Sequence, residues 1–414
     1  MSERLMNEAQ SILNQVASEH CGFSESAWFL DEMANAFHAE NLKNEKPEII
    51  VLGEDFHAEL ALAVCDHPRF LLGGSLETTH WSDALLPRDA DPVSRSACGW
   101  LLNEHFQMGS DALIVLTLTN DNRRKLAGLL RSHGLRVLTV DLPPVYHTAA
   151  SQRAWATEMY RAAKEMAAHC HTRLTARCLA QAILDVRKLR KGMQAFHKTV
   201  LKTPGCMSPA LRAIILESAW YAKDRKAWLE HLYRLTSQIA AWQTRYLINP
   251  DDRPWVMTAG SPIIFPNEKL PMLLEASGLF LADRIDGLSV QMNMPTPALQ
   301  RFDTVQKILL RIAEVRMPKE VSGAWTVNEG LPTAVEGMLR RIPIDGIVYH
   351  VLKGQIEYDF ELPRVEEIAA EYGVPVFRLE TDYQQQDVEQ LRIRMEAFSE
   401  MLRQRNSERM RIAQ

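Results

Sequence analysis

Short apolar runs alternate with amphipathic helical segments through two long stretches of the chain. In the first stretch, "EIIVLG" at 48–53 and "DALIVLTLT" at 111–119 have the character of buried strands, and the helical segment "NRRKLAGLL" follows the second. In the second stretch, "WVMTAG" at 255–260 and "DGIVYHV" at 345–351 repeat the pattern. This alternation is typical of parallel sheets with helices on both faces. It predicts an α/β fold with two parallel-sheet lobes.

Helical patterns without apolar strand-like runs precede and separate the two predicted lobes. They occupy the start of the chain and a region in which apolar residues recur at helical spacing, and the loop-like "NPDDRP" closes the second of them. We therefore predict a helical lead-in at 1–46, a first lobe at 47–150, a helical connector at 151–250, and a second lobe with a C-terminal helix at 251–414. The carboxyl ends of strands in such sheets line ligand clefts.

Composition is that of an ordinary globular enzyme and changes this picture little. The 414 residues are 46% hydrophobic and 24% charged, and the net charge of -5 gives no reason to expect a nucleic-acid or anionic-membrane partner. The N-terminus has no apolar core typical of a signal peptide, and no long uncharged apolar stretch occurs elsewhere. We expect a cytoplasmic protein without membrane contact.

The six cysteines do not form a CxxC motif and fit free thiols in a reducing compartment. The densest group of metal-ligand types is "HCHTRLTARC", which contains His169, Cys170, His171 and Cys178. Adjacent His-Cys-His residues cannot all face one ion from a regular helix. We favour an ordinary helix end over a metal site here.

Polar residues follow the buried strand at 111–119. Asn120 and Asp121 stand ahead of a helix that opens with Arg-Arg-Lys at 123–125. We expect Asp121 or Asn122 to cap this helix and the basic residues to form a solvated face, with an anionic ligand as the alternative.

A family resemblance emerges from the order of several motifs. The segments "DGIVYHV", "GVPVFRLETDY" and "EQLRIRMEAFSEML" resemble the end of the 2-hydroxyacyl-CoA dehydratase and benzoyl-CoA reductase subunit family, which has "DGVI", "GIPVL.IE.DY" and "GQLRTRIEAF.EML" in that order. The resemblance runs back through "TAGSPI", "LTARCLAQAILDVRKLRKGM" and "FHAELALAVCDHP", and covers roughly residues 47 to 404. It is most specific at the C-terminus.

The resemblance implies a fold, a cofactor and a chemistry. It implies two flavodoxin-like, or Rossmann-like, lobes and a four-iron, four-sulfur cluster held at the cleft by three cysteines from both lobes. Family members work as two-subunit dehydratases or larger reductases and receive one electron from an ATP-hydrolysing activator. The electron forms a ketyl radical on an acyl-CoA thioester, which leads to loss of an unactivated hydroxyl or to reduction of an arene.

This sequence departs from the family pattern at all three cysteine positions. By the resemblance, Asp91 in "DPVSRSACG", Asn120 after the strand and Gln355 in "LKGQ" stand where the cysteines belong. Iron in such clusters prefers sulfur ligands, and a carboxylate with two amides is a poor substitute. We therefore expect no cofactor in this chain, although Cys98, seven residues beyond Asp91, is an alternative ligand.

Three functional hypotheses follow, and Asp91, Asn120 and Gln355 are the predicted site residues in each. The first is a cluster-free subunit that pairs with a cluster-bearing paralogue, or forms a homodimer, and contacts an acyl-CoA or another small molecule. The second is a remodelled enzyme or small-molecule-binding protein without radical chemistry, in which Asp91 is an acid or base and the two amides stabilise an oxyanion. The third is an iron-sulfur dehydratase with unusual ligands.

Overall fold

A computed structural model gives the structure of the protein over most of the chain. It describes residues 2–19, 22–38, 40–41, 48–53, 56–71, 73–103, 111–245, 253–316, 325 and 328–413.

Within these residues, eight strands form two four-stranded sheets. The strands are β1 Ile49–Leu52, β2 Arg69–Leu71, β3 Leu113–Leu118, β4 Arg136–Asp141, β5 Trp255–Gly260, β6 Phe280–Ile285, β7 Gly346–Leu352 and β8 Val376–Thr381. All pairings are parallel, and the orders are β2-β1-β3-β4 and β6-β5-β7-β8. The predicted α/β class with two lobes is confirmed, and the strand order is that of flavodoxin-like sheets.

Helices cover the sheets and connect them. They are α1 Ser2–Glu19, α2 Ser24–Ala36, α3 Ala58–Leu62, α4 Leu76–Trp81, α5 Pro92–Leu102, α6 Asp121–Ser132, α7 Ala149–His169, α8 Ala176–Leu201, α9 Pro209–Tyr221, α10 Arg225–Arg245, α11 Lys269–Ala276, α12 Gly287–Asn293, α13 Val305–Val315, α14 Gly330–Leu339, α15 Glu357–Glu371 and α16 Val388–Ala413. Helices α7 to α10 run between the two sheets in sequence, while the boundaries at 46, 150 and 250 stay predictions. Among the described helices, none is both long and apolar enough to cross a membrane.

Burial along the strands follows their place in the sheet. All six residues of β3 and all seven of β7 are buried, whereas β4 at the edge of its sheet is exposed at both ends. A central strand of a parallel sheet is covered on both faces, which explains why β3 and β7 read as uninterrupted apolar runs.

The two lobes pack closely against each other. Gly74 of the first lobe lies so near the second that an added Cβ would stand 2.2 Å from the carbonyl oxygen of Ile264. Tyr383 donates a hydrogen bond from its hydroxyl to the carbonyl of Gly73, 2.9 Å away. One continuous apolar core contains residues of both lobes and of the helical region, among them Leu116, Phe196 and Phe265.

In each sheet the connections leave the two inner strands in opposite directions. The chain passes from β1 outward to β2 and from β3 outward to β4, and the second sheet repeats this with β5 and β7. A crevice forms at the carboxyl ends of such a strand pair. The loops after β3 and β7 therefore carry their polar residues toward the region where the lobes meet.

Candidate functional site

Asp91 begins helix α5 and is almost completely buried. Its Oδ1 accepts the backbone N–H of Ser94 at 2.9 Å, and Pro92 occupies the first turn, so the sequence "DPVS" forms a helix start with an acidic cap. Only 1% of the residue is exposed. Asp91 therefore has a structural role in addition to any chemical one.

The loop after β7 brings Gln355 to Asp91. Gly354 adopts a left-handed φ of 84°, and a Cβ there would stand 2.7 Å from the carbonyl oxygen of Asp89 and 2.9 Å from the backbone nitrogen of Asp91. Only glycine permits this approach. The Nε2 of Gln355 then donates to Oδ1 of Asp91 at 3.4 Å, a long hydrogen bond between the lobes.

Asn120 joins the same region from the end of β3. Its Oδ1 accepts the backbone N–H of Arg123 at 2.9 Å, so Asn120 caps helix α6 and the prediction of Asp121 or Asn122 as the cap is wrong. Its Nδ2 donates to Oε1 of Glu357 at 2.8 Å. The side-chain amide of Asn120 thus links the two lobes: its oxygen accepts a hydrogen bond from the first lobe, and its nitrogen donates one to the second.

The neighbouring polar residues reinforce this contact. Asn122 donates from Nδ2 to the carbonyl of Gly354 at 3.2 Å. Arg123 is buried beneath the loop after β1, where a Cβ on Gly53 would stand 2.7 Å from the guanidinium. The predicted solvated face is therefore wrong for Arg123, although Arg124 and Lys125 are exposed. Arg123 lies in the first turn of α6, where its backbone N–H is capped by Asn120, and its side chain is buried. Composition alone does not reveal this burial.

Glu357 is the residue of this region that sequence reasoning missed. Burial raises the pKa of its carboxyl above the usual range, while the hydrogen bond from Asn120 and the charge of Arg123 act in the opposite direction. The charge of Asp91 adds to the upward shift. The signal was its position two residues after Gln355, which places it in the same loop. Glu357 therefore holds its proton more readily than an exposed glutamate does.

Two buried acceptor atoms in the region lack partners. Oδ2 of Asp91 and Oε1 of Gln355 have no hydrogen bond to any atom in the described part of the chain. Buried acceptors are almost always hydrogen-bonded, so a donor is expected between them, either a water molecule or an N–H or O–H group of a ligand. Gln355 is only 6% exposed, so bulk solvent has little access to this pair of side chains.

The structure thus brings Asp91, Asn120 and Gln355 together with Glu357 where the lobes meet. We call these four residues the interlobe cluster. The direct links are Gln355 to Asp91 and Asn120 to Glu357. Their role in catalysis stays a prediction.

Comparison with known protein families gives a match over most of the chain. The family described as 2-hydroxyglutaryl-CoA dehydratase, D-component, matches residues 55–402. The chain belongs to this family. The expected resemblance to the dehydratase family is confirmed.

Two relatives of this dehydratase family are also similar over long stretches. The (R)-phenyllactyl-CoA dehydratase beta subunit of Clostridium sporogenes is 28% identical over 231 residues, which is 56% of this chain and 58% of that protein. YjiM of Escherichia coli (strain K12), provisionally named as a dehydratase subunit, is 23% identical over 338 residues, covering 80% of this chain and 85% of that protein. Both relatives are named as subunits.

The interlobe cluster does not suit the iron-sulfur cluster that the family resemblance implies. Its donors are carboxylate and amide groups, and the Oδ1 atoms of Asp91 and Asn120 are already engaged as helix caps. Such clusters are held by thiolates in nearly all cases. The residues present therefore fit helix capping and interlobe hydrogen bonding better than iron ligation.

Cys98 does not supply the missing sulfur. It is fully buried in the apolar core, and burial raises the pKa of its thiol to about 12. It lies seven residues along helix α5 from Asp91, about 10 Å at the rise of an α-helix. Exposing its sulfur at the cap would require unwinding two turns of a buried helix.

A separate pocket lies between helices α8 and α9 and the second lobe. Its wall is largely apolar, and none of Asp91, Asn120 and Gln355 lines it. The lining apolar residues include Phe70, Leu189, Met193, Trp220 and Met292. Three of its arginines are engaged internally, since Arg190 pairs with Glu59, Arg212 donates to the carbonyl of Leu281, and Arg284 pairs with Glu217. The pocket offers apolar surface more than free charge.

Proposed function

We propose that this chain is a cluster-free subunit of a 2-hydroxyacyl-CoA dehydratase-like assembly in the cytoplasm. The observation that carries the proposal is the interlobe cluster, because it puts oxygen and nitrogen atoms where the family resemblance calls for three cysteine sulfurs. The wide family match and the naming of two relatives as subunits support the assembly.

The assembly needs a partner that holds the cluster. Radical removal of an unactivated hydroxyl requires an electron carrier. The carboxylate and amide groups of the interlobe cluster are poor ligands for an iron-sulfur cluster that would serve as this carrier. A paralogous subunit with three cysteines is the proposed partner, and a homodimer is the alternative. A stable pairing should bury on the order of 1,000 Å² or more.

Co-purification tests the pairing directly. The full chain and a three-cysteine relative encoded beside it are expressed together anaerobically, with the tag on the relative only. We expect the two chains to co-purify and to sediment as one species. The iron of the four-iron cluster should belong to the tagged partner. A chain that remains monomeric at micromolar concentration, alone and with the relative, would contradict the proposal.

The apolar pocket is the proposed place for the acyl part of an acyl-CoA. Apolar side chains of the helical region and of the second lobe line the pocket, whereas Asp91 and Gln355 of the interlobe cluster are buried. Calorimetric titration with a short-chain acyl-CoA should show binding that free CoA does not reproduce. Equal affinity for both would place the acyl group outside the pocket.

A remodelled enzyme is the second candidate, and Glu357 favours it. A carboxyl whose pKa is raised by burial and which accepts an amide hydrogen bond can serve as a general acid. In such an enzyme Glu357→Gln or Asp91→Asn should each reduce the rate by roughly 10²- to 10⁴-fold. Asp89→Asn is the matched control, because that residue is exposed two positions from Asp91. Unchanged activity of the native assembly in both variants would remove this candidate.

A further inference from the structure

Two buried cysteines and one glutamate, none of them part of the interlobe cluster, meet in the first half of the chain. Cys65 follows helix α3, Cys170 immediately follows helix α7, and Glu48 immediately precedes strand β1. Their sulfur atoms and a carboxylate oxygen all lie within 4.8 Å of one another. Cys65 Sγ is 4.0 Å from Oε2 of Glu48.

The backbone holds the two turns that carry these sulfurs. Thr172 donates from its hydroxyl to the carbonyl of Val64 at 2.8 Å, which ties the turn after α7 to the turn after α3. The N–H of Cys65 donates to Ala61 at 2.9 Å and that of Cys170 to Met166 at 3.0 Å. The sulfurs therefore meet because of the fold and not because of flexible side chains alone.

The donor atoms are close enough together to reach one metal ion. Zinc binds sulfur at about 2.3 Å and carboxylate oxygen at about 2.0–2.2 Å, so its tetrahedral donors lie roughly 3.3–3.8 Å apart. The three donor atoms lie within 4.8 Å of one another, so small side-chain adjustments bring them to such separations. A disulfide between Cys65 and Cys170 is the competing outcome, and the test below distinguishes it from metal binding.

We propose that Glu48, Cys65 and Cys170 form a binding site for a zinc-class divalent cation. Two thiolates and one carboxylate are ligand types that zinc accepts. Glu48 is exposed, so a water molecule is the expected fourth ligand. This proposal departs from the expectation of an ordinary helix end without a metal site. Helix α7 does end at His169, and the other two proposed ligands come from distant segments.

Metal binding at this site requires both thiols to lose their protons. Burial raises the pKa of both thiols, that of Cys170 to about 12, so binding must release two protons to solvent. The backbone N–H of His67 hydrogen-bonds Cys65 and acts to lower its pKa, while Asp66 and Glu48 act to raise it. Two thiolates, one carboxylate and one divalent ion sum to one negative charge. The positively charged guanidinium of Arg225 interacts electrostatically with Cys65 and opposes this charge.

The site would join the first lobe to the helical region. Cys65 and Cys170 belong to the same apolar cluster, which also contains residues of β1, α7 and α8. A bound ion adds a link between turns that are otherwise held by packing and by Thr172. Its stabilisation should follow mass action, rising with the free metal concentration relative to its dissociation constant.

Cobalt titration of the tag-free full chain tests the site. Co²⁺ is added to the reduced, metal-stripped protein, and we expect one ion per chain with sulfur-to-cobalt charge-transfer absorption. Cys65→Ser and Cys170→Ser should each abolish that absorption. Cys178→Ser is the matched control, because this exposed cysteine lies in the first turn of α8 and should leave the absorption unchanged.

Glu48→Ala keeps the test interpretable if the cysteine variants fold poorly. Glu48 is exposed, so Glu48→Ala should leave the melting temperature of the metal-free protein unchanged. The same variant should lower the affinity for Co²⁺ and Zn²⁺ by roughly 10-fold or more. The proposal is overturned if the wild type shows no thiolate absorption with both thiols reduced, if affinity is equal in Glu48→Ala, or if mass spectrometry finds a Cys65–Cys170 disulfide in place of metal.

Discussion

The molecule contains two clusters of potential ligand atoms that differ in chemistry. The interlobe cluster consists of carboxylates and amides and lies where two flavodoxin-like sheets face each other. The second cluster, Glu48, Cys65 and Cys170, contains two sulfurs, and its Glu48 lies at the amino end of β1, whereas Asn120 lies beyond the carboxyl end of the parallel strand β3. The comparison shows that topology determines where side chains meet, whereas the donor atoms determine what they can bind.

The largest expected effect comes from converting the first cluster to the chemistry of the second. Asp91→Cys, Asn120→Cys and Gln355→Cys together place three thiols where the lobes meet, and we expect up to about four irons per chain after anaerobic reconstitution. Two helix caps are lost, at about 1 kcal/mol each, which a chain of this size should tolerate. A folded triple variant that takes up no iron would show that these positions do not correspond to the family's cysteines.

Gly354→Ala should break the interlobe cluster by separating the loops that form it. The added Cβ would meet backbone atoms of Asp89 and Asp91 at a left-handed φ, so we expect a loss of about 3 kcal/mol or more in the free energy of unfolding. Gly128→Ala is the control, since a Cβ there meets nothing within 4 Å and alanine has a higher helix propensity than glycine. Denaturant titration measures both. Equal stability of the two variants would mean that the lobes do not approach closely at Gly354.

Asn120→Ala should have a smaller and more specific effect. It removes a helix cap, at about 1 kcal/mol, and also the hydrogen bond that holds down the pKa of Glu357. Thr148→Ala removes a comparable cap from α7 without touching the interlobe cluster. Both variants should lose similar stability, but only Asn120→Ala should raise the pKa of Glu357 in an NMR titration. An unchanged pKa of Glu357 in Asn120→Ala would show that the hydrogen bond from Asn120 does not lower that pKa.

The smallest expected effect is in the pH dependence of stability. Because burial raises the folded-state pKa of Glu357, the folded protein holds a proton that the unfolded chain has already released. Its contribution to stability is present below the unfolded pKa and is lost as pH rises through the folded pKa. Glu357→Gln should flatten this fall, whereas Glu366→Gln on the exposed face of the same helix should not. Identical pH profiles for Glu357→Gln and the wild type would contradict the shift.

The sequence predicted the lobes well because β3 and β7 are uninterrupted apolar runs that only a doubly covered strand explains. It also indicated Asp91 and Gln355, but through family resemblance and not through their own pattern. Their contact joins positions 264 residues apart, and it depends on the glycine approach at Gly354. Glu357 and Arg123 were missed for the same reason, since their burial arises from how the lobes dock.

The meeting of Cys65 and Cys170 was equally invisible in sequence. Local spacing drew attention to His169 and His171 as neighbours of Cys170, whereas the fold supplies Cys65 and Glu48 from distant segments. Ligand spacing within one segment predicts a site only where one segment provides the ligands. Here three elements provide one residue each.

Iron and acid-labile sulfide in the anaerobically reconstituted wild-type chain test the central claim most directly. The account predicts no acid-labile sulfide and at most one iron per chain, because the interlobe cluster lacks thiolates. Sulfide is the decisive quantity, since a single iron could bind at Cys65 and Cys170 without it. About four irons and four sulfides per wild-type chain, with the broad absorption of a four-iron cluster, would contradict the account.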